Sequence, residues 1–220
     1  MVSAVQMLTI DGAEPLTAAS VKALEAVCDR VEDSPEPGIV TVRVTGAPGE
    51  GWADALSVSL VTKWERVLRR FERLPAATVA VANGDCGGTA LDAFLATDAR
   101  FATWDTRLLV AMHGEAGWPG MATYRLVQQA GAARVRRAVV LGLPIHASEA
   151  LALGLVDELT ADPAEAVAAM EKRLDRLSGK ELAIRRQLMF DAASASFEDA
   201  LGPHLAACDR ALRQGTEVAA

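Results

Sequence analysis

The stretch Val79-Ala80-Val81-Ala82-Asn83-Gly84-Asp85-Cys86-Gly87-Gly88-Thr89-Ala90-Leu91-Asp92 decides the fold. Its first four residues are apolar and partly β-branched, which suits a short buried strand. Asn83-Gly84 reads as a break in that strand. Gly87 and Gly88 then allow a sharp turn and the close approach of a ligand to the backbone. The run from Ala90 to Ala96 is apolar nearly all round and reads as a buried helix. A helix that starts just after paired glycines presents free N–H groups and the positive end of its dipole. Such an end suits a phosphate, a carboxylate or a developing oxyanion. The same pattern also fits a strand-to-helix connection whose glycines serve packing alone.

On the N-terminal side, residues 5–10 and the β-branched residues 39–44 read as strands. Residues 16–31 have helical spacing, with Thr17 and Ser20 near the start and Pro35-Glu36-Pro37-Gly38 as the stop. Residues 46–51 form a glycine- and proline-rich loop, and residues 57–74 a helix ended by Pro75. On the C-terminal side, strands are expected near residues 100–103, 108–110 and 155–159. Helices dominate from Met121, and the chain reads as entirely helical from Ala166. Alternating strands and helices followed by a helical tail indicate an α/β core over residues 1–165 and a helical region over 166–220.

Composition narrows the function. The chain has 220 residues, 51% hydrophobic and 23% charged, with a formal net charge of −7. That acidity disfavours nucleic acid as a partner. No apolar run approaches the roughly 20 residues that span a bilayer, and the N-terminus lacks a signal-peptide pattern. A soluble, cytoplasmic protein without membrane contact is therefore expected. Cys28, Cys86, Cys208, His113, His146 and His204 are scattered and form no zinc or disulfide pattern, so no metal and no cofactor is expected. Cys86 lies beside the glycine turn, without the His-Asp context of a nucleophile.

An ordered set of motifs resembles the crotonase (enoyl-CoA hydratase/isomerase) family. Asn83-Gly84 to Asp98 has the spacing of the family's A-x-N-G-x-x-x-G-G-G-x-E-L segment, and Asp98-Ala99-Arg100-Phe101-Ala102 is similar to its D-x-R-x-A. Pro119-Gly120 with Tyr124-Arg125-Leu126 looks like the P-G-x-G-x-x-x-R-L segment with one residue fewer. Gly131-Ala132-Ala133-Arg134 through Leu141-Gly142 and the run from Ala147 to Asp157 complete the series, over about residues 39–159.

The resemblance implies a spiral of β-β-α turns, a trimerising helical tail (trimer or hexamer) and an acyl-CoA ligand. It also implies that two backbone N–H groups hold the thioester oxygen while an enolate-like intermediate forms. One donor maps to Thr89, beside Gly88. The other maps by ungapped spacing to Ala55, in a loop whose Trp52 flanks the expected pocket. The first of the family's two acid–base glutamates maps to Asp92, which also reads as a helix-start carboxylate answering the dipole. The second maps to Met112, which moves no proton. Its neighbours His113 and Glu115 are the candidates to replace it, or else simply solvated residues. The short N-terminal segment and the missing glutamate resemble the small family member of the dihydroxyphenylglycine pathway. This implies dehydration of a polyketide-derived CoA thioester beside a polyketide synthase partner. A non-catalytic acyl-CoA-binding helper of that synthase is the alternative. A peptidase on the same fold would need a Ser-His-Asp set that no residues here supply.

Overall fold

A computed structural model describes residues 6–34, 38–174 and 179–218. Val5, the helix stop at residues 35–37, and residues 175–178 and 219–220 of the tail lie outside them. In chain order the elements are β1 (Gln6–Asp11), α1 (Ala18–Glu32), β2 (Ile39–Gly46), α2 (Val58–Phe71), β3 (Ala77–Gly87) and α3 (Thr89–Leu95). Then come β4 (Ala99–Ala102), β5 (Arg107–Leu109), the small hairpin β6 (Met112–His113) and β7 (Ala116–Gly117), α4 (Met121–Ala130) and α5 (Ala132–Leu141). The chain continues through β8 (Ile145–His146), α6 (Ala147–Ala152) and β9 (Glu158–Leu159) to the helices α7 (Pro163–Leu174), α8 (Lys180–Ala192) and α9 (Phe197–Val218).

Local chemistry sets the helix starts. Thr17 and Ser20 bond each other's backbone N–H groups in a capping box ahead of α1, and Ser57 accepts the Leu60 N–H ahead of α2. In α2, Trp64, Val67, Leu68 and Phe71 are buried, the i, i+3, i+4, i+7 stripe of a helix packed on one side.

Strands β1, β2, β3, β4 and β9 lie in that order, all parallel. The period-2 alternation of β2 and β3 sorts their side chains onto two faces. Val40, Val42, Val44, Ala80 and Ala82 join the main core with α1, α2, α3 and α4. Ile39, Ala77, Val79, Val81 and Phe101 form a second cluster, covered by Ala166, Val167 and Met170 of α7 and Leu182 of α8. Burial on both faces accounts for the continuous apolar reading of β3.

Asn83-Gly84 does not end β3, contrary to the sequence expectation. Gly84 takes φ +64°, which bends the strand instead of breaking it. Before the bend, Val79 to Ala82 pair with β4; after it, Asp85 to Gly87 pair with β5. On that side one strand thereby joins two successive partners, with β2 on its other side, and delivers Gly88 and α3 to the sheet's carboxyl edge.

The tail is fastened to the core through Arg186 of α8, which is 5% exposed. Its guanidinium makes a two-pronged pair with Asp98, Nε to Oδ1 at 2.7 Å and Nη2 to Oδ2 at 2.5 Å. It also donates to the carbonyls of Glu72, Leu74 and Ala76. Asp98 in turn accepts the backbone N–H and the hydroxyl of Thr78, both at 2.9 Å. Arg186→Met should therefore destabilise the protein by about 3 kcal/mol or more, because a carboxylate and three carbonyls lose a buried donor. Arg186→Lys should recover little, since an ammonium cannot reproduce the planar fork. Urea titration checks both; a loss under about 0.5 kcal/mol, the ordinary range of a surface change, would count against the anchor.

Candidate active site

The parallel strands β1, β2 and β3 end at the same edge of the sheet, and their backbones converge there. A Cβ placed on Gly12 would lie 2.1 Å from the Gly87 carbonyl oxygen and 2.7 Å from that of Gly46. Any side chain at Gly12 would force these strand ends apart. Gly88 takes φ +54°, and a Cβ there would meet the Pro48 ring at 2.5 Å. Both the conformation and the contact demand glycine.

A cavity opens at this edge. Gly12, Pro48, Trp52, Leu56, Trp64, Glu65, Gly88, Thr89, Asp92, Val110 and Trp118 line it. Thr89 is the first residue of α3, so its N–H has no partner within the helix, and none is found outside it among the described residues. One turn further on, Asp92 reaches the same cavity and accepts the indole N–H of Trp64 on Oδ2 at 3.0 Å. Burial raises the Asp92 carboxyl most, and the nearby negative charge of Glu65 raises it further. Arg125 and the Trp64 bond oppose this, leaving the group at about 7. A carboxyl near 7 can both give and take a proton at neutral pH.

Behind Asp92 stands a relay of charge. Arg125 of α4 is buried and donates to Glu65 at 2.9 Å and to Glu72 at 2.7 Å, and Arg69 reaches Glu72 at 2.9 Å. Burial also raises Glu65, opposed by Arg125. Glu65 was missed in the sequence, although it follows the buried Trp64 as Glu72 follows the buried Phe71. Two carboxylates seven residues apart, each one step past a core aromatic, were the available signal.

Of the residues singled out in the sequence, Gly88, Thr89, Asp92 and Trp52 meet at the cavity. Trp52 donates its indole N–H to the Met112 carbonyl at 2.7 Å and packs edge-on against Trp118, 5.2 Å between ring centres. Ala55 is exposed and stands outside the cavity lining; the turn over residues 51–56 brings in Trp52 and Leu56 instead. The Leu56 N–H is taken by the Ala53 carbonyl and Pro48 has none. The backbone N–H of Trp52 meets no acceptor among the described residues. His113 and Glu115 are exposed on the β6–β7 hairpin and line no part of the cavity. His113 stacks edge-on against the outer side of Trp118 at 6.1 Å. Met112 turns its thioether to Gly142, where a Cβ would come within 2.7 Å of the sulfur. Cys86 is fully buried, and burial raises its thiol well above the reactive range. Among the described residues no cluster of His, Cys, Asp and Glu has the spacing of a metal site.

Residues 53–217 match the family profile of the enoyl-CoA hydratases/isomerases. An "Enoyl-CoA-hydratase" of Amycolatopsis orientalis is 59% identical over 208 residues, 94% of this chain and 96% of that relative. Among solved structures, Pseudomonas aeruginosa PA4980 superposes with a TM-score of 0.78 at 26% identity, covering 91% of this chain and 93% of that one. An enoyl-CoA hydratase/isomerase family protein from Silicibacter pomeroyi superposes with a TM-score of 0.81 at 18% identity and covers 95% of each chain.

The raised Asp92 carboxyl has a consequence for stability. Between about pH 4, the unfolded value, and pH 7, the folded protein holds a proton that the unfolded chain has released. The stabilisation is complete below about pH 4 and is lost as pH rises through 7. Asp92→Asn removes the titration. Relative to the parent it should gain stability from pH 4 to 7, by on the order of a few kcal/mol, and then level off. Unfolding free energies measured across that range check this, and a constant difference would contradict it.

Proposed function

The chain belongs to the enoyl-CoA hydratase/isomerase family, and on that premise we propose that it is a hydratase-like lyase acting on an acyl-CoA thioester. The observation that carries this reading is the meeting of the Thr89 N–H with an Asp92 carboxyl near 7 in one cavity. A thioester carbonyl oxygen seated at the Thr89 N–H would be polarised as charge develops on it, and the acidity of the neighbouring carbon would rise. The Trp52 N–H is the second donor of this reading. Asp92, oriented by Trp64, then moves a proton at the α-carbon or at the oxygen on the β-carbon of the acyl group. Trp52, Trp118, Leu56 and Val110 give the cavity an apolar wall for the acyl chain.

The substrate of this reading is a polyketide-derived CoA thioester on the way to dihydroxyphenylacetyl-CoA, with a polyketide synthase as partner. Its support is the small-member pattern of the sequence, with Met112 where a second glutamate would stand. That same Met112 favours the second reading, a helper that holds an acyl-CoA for the synthase without turning it over. The core over residues 1–165 carries the chemistry in either case, and residues 166–220 carry assembly. Support for assembly lies on α9, where Phe197, Leu201 and Leu205 repeat every fourth residue and are 75%, 42% and 58% exposed. A second copy of the chain, in a trimer or hexamer, would bury them.

Two measurements test these readings. With the synthase and malonyl-CoA, or with 3-hydroxybutyryl-CoA alone, Asp92→Asn should lose about 100- to 10,000-fold in turnover while still binding the thioester. Thr89→Pro, if circular dichroism shows it folded, should lose about 100-fold or more, and Thr89→Ala little. Full product formation by Asp92→Asn would leave the helper reading standing. Sedimentation should show a trimer or hexamer, and Leu205→Glu should release smaller species; a stable monomer at micromolar concentration would end the assembly reading.

A further inference from the structure

The lyase reading leaves one carboxyl short. Elimination of water from a 3-hydroxyacyl thioester needs a base for the α-proton and an acid for the departing hydroxyl. Met112 faces Gly142, and His113 and Glu115 stand outside the cavity. One more carboxylate does line it. Glu65 comes from α2, immediately after the Trp64 that holds Asp92, and its side chain is 19% exposed.

The two carboxylates are held alike. Asp92 has Oδ2 bonded to Trp64, and Glu65 has Oε2 bonded to Arg125. Among the described residues, neither second oxygen takes a hydrogen bond, so each keeps a free lone-pair site beside the cavity. Burial raises both, but their direct contacts differ. Glu65 has a guanidinium at 2.9 Å, which favours its ionised form, whereas Asp92 touches a neutral indole and has the Glu65 charge nearby. The two carboxylates on Arg125 face different ways: Glu72, at 2.7 Å, is buried and also takes Arg69 at 2.9 Å, whereas Glu65, at 2.9 Å, lines the cavity. A second carboxylate on the same guanidinium, turned to the cavity, fits a chemical task better than a structural one.

We propose that Glu65 is the second proton-transfer group of this site, the base that works opposite the acid Asp92. This rests on the lyase reading above. The Glu65 carboxylate takes the α-proton, and the C–H electron pair passes toward the thioester oxygen at Thr89. As that pair returns to form the α,β double bond, the β-carbon–oxygen bond breaks. Asp92 protonates the leaving oxygen, and water departs. Glu65 has then gained one proton and Asp92 has lost one; exchange with solvent restores both. Hydration is the same path reversed.

The test uses the full-length chain with crotonyl-CoA and 3-hydroxybutyryl-CoA as probes. Glu65→Gln keeps the shape and leaves Arg125 paired with Glu72. Its kcat should fall about 100- to 10,000-fold, with KM changed less than about threefold. Exchange of the 3-hydroxybutyryl-CoA α-proton with deuterium oxide should fall equally, and the acidic limb of the pH–rate profile should disappear. A structural role would move stability and KM without removing that limb. Glu65→Asp, which keeps a carboxylate, should retain more activity than Glu65→Gln and serves if the Gln variant fails to fold. Parental kcat and exchange in Glu65→Gln, or a Glu65→Asp variant no better than a folded Glu65→Gln, would overturn the proposal. If Glu65→Gln is silent while Asp92→Asn is crippled, only this inference falls. If both are silent, the lyase reading falls with it.

Discussion

Everything at the carboxyl edge of the sheet depends on how closely three backbones can approach. Gly12 sits just past the end of β1, and a methyl group on it would press into the carbonyls of Gly46 and Gly87 at the ends of β2 and β3. This contact fixes the height of the β3 end against its neighbours, and with it the position of Gly88 and the first amide of α3. The cavity is the space left above that contact, at the carboxyl ends of parallel strands, where an open α/β sheet leaves its loops free to hold a ligand. A hydrogen-bond donor aimed at an oxyanion must be placed to within a fraction of an ångström. Backbone pressed on backbone sets such a position more firmly than a flexible side chain could.

Two of the buried arginines, Arg125 and Arg186, organise the electrostatics. Each joins elements distant in sequence, α4 to α2 in one case and α8 to the β3–β4 region in the other. Arg125 sits one layer behind the cavity, so the charge on Asp92 is governed partly by a residue that does not line it. Arg186 stands on the far side of the sheet and answers the carbonyls of Glu72, Leu74 and Ala76 in the connection from α2 to β3. The same residue type thus tunes a site in one place and closes a backbone in the other. In both, the planar fork gives several directed bonds from one charge.

Much of this was legible in the sequence because it is local. The strand before Asn83, the glycines, and the helix start at Thr89 are dictated by residues that touch one another along the chain. Thr17, Ser20 and Ser57 mark helix starts for the same reason. The bend at Gly84 was misread as a stop, since a glycine with positive φ looks alike in sequence whether a strand ends there or changes partners. Ala55 was placed by counting along a loop, and a loop's turns are set by what it packs on. Glu65 is easily passed over as a site residue because it lies beside the apolar stripe of α2, where a charge ordinarily meets water. Only the packing of α2 against α3 and α4 makes that side of the helix the wall of a cavity.

The Arg186 anchor also places a condition on biosynthesis. Asp98 and the carbonyls between α2 and β3 emerge early, but their partner lies 88 residues further along the chain than Asp98. At roughly 5–20 residues per second, a ribosome needs about 4–18 seconds to cover that distance. For that interval the strands that build the cavity exist as a nascent chain whose Asp98 has Thr78 but no cation, with one sheet face still waiting for α7 and α8. The fold is completed from its C-terminus, so a transcript truncated before Arg186 yields every residue of the cavity and most of the cover on the sheet's other face, yet leaves Asp98 and the carbonyls of Glu72, Leu74 and Ala76 without their buried donor.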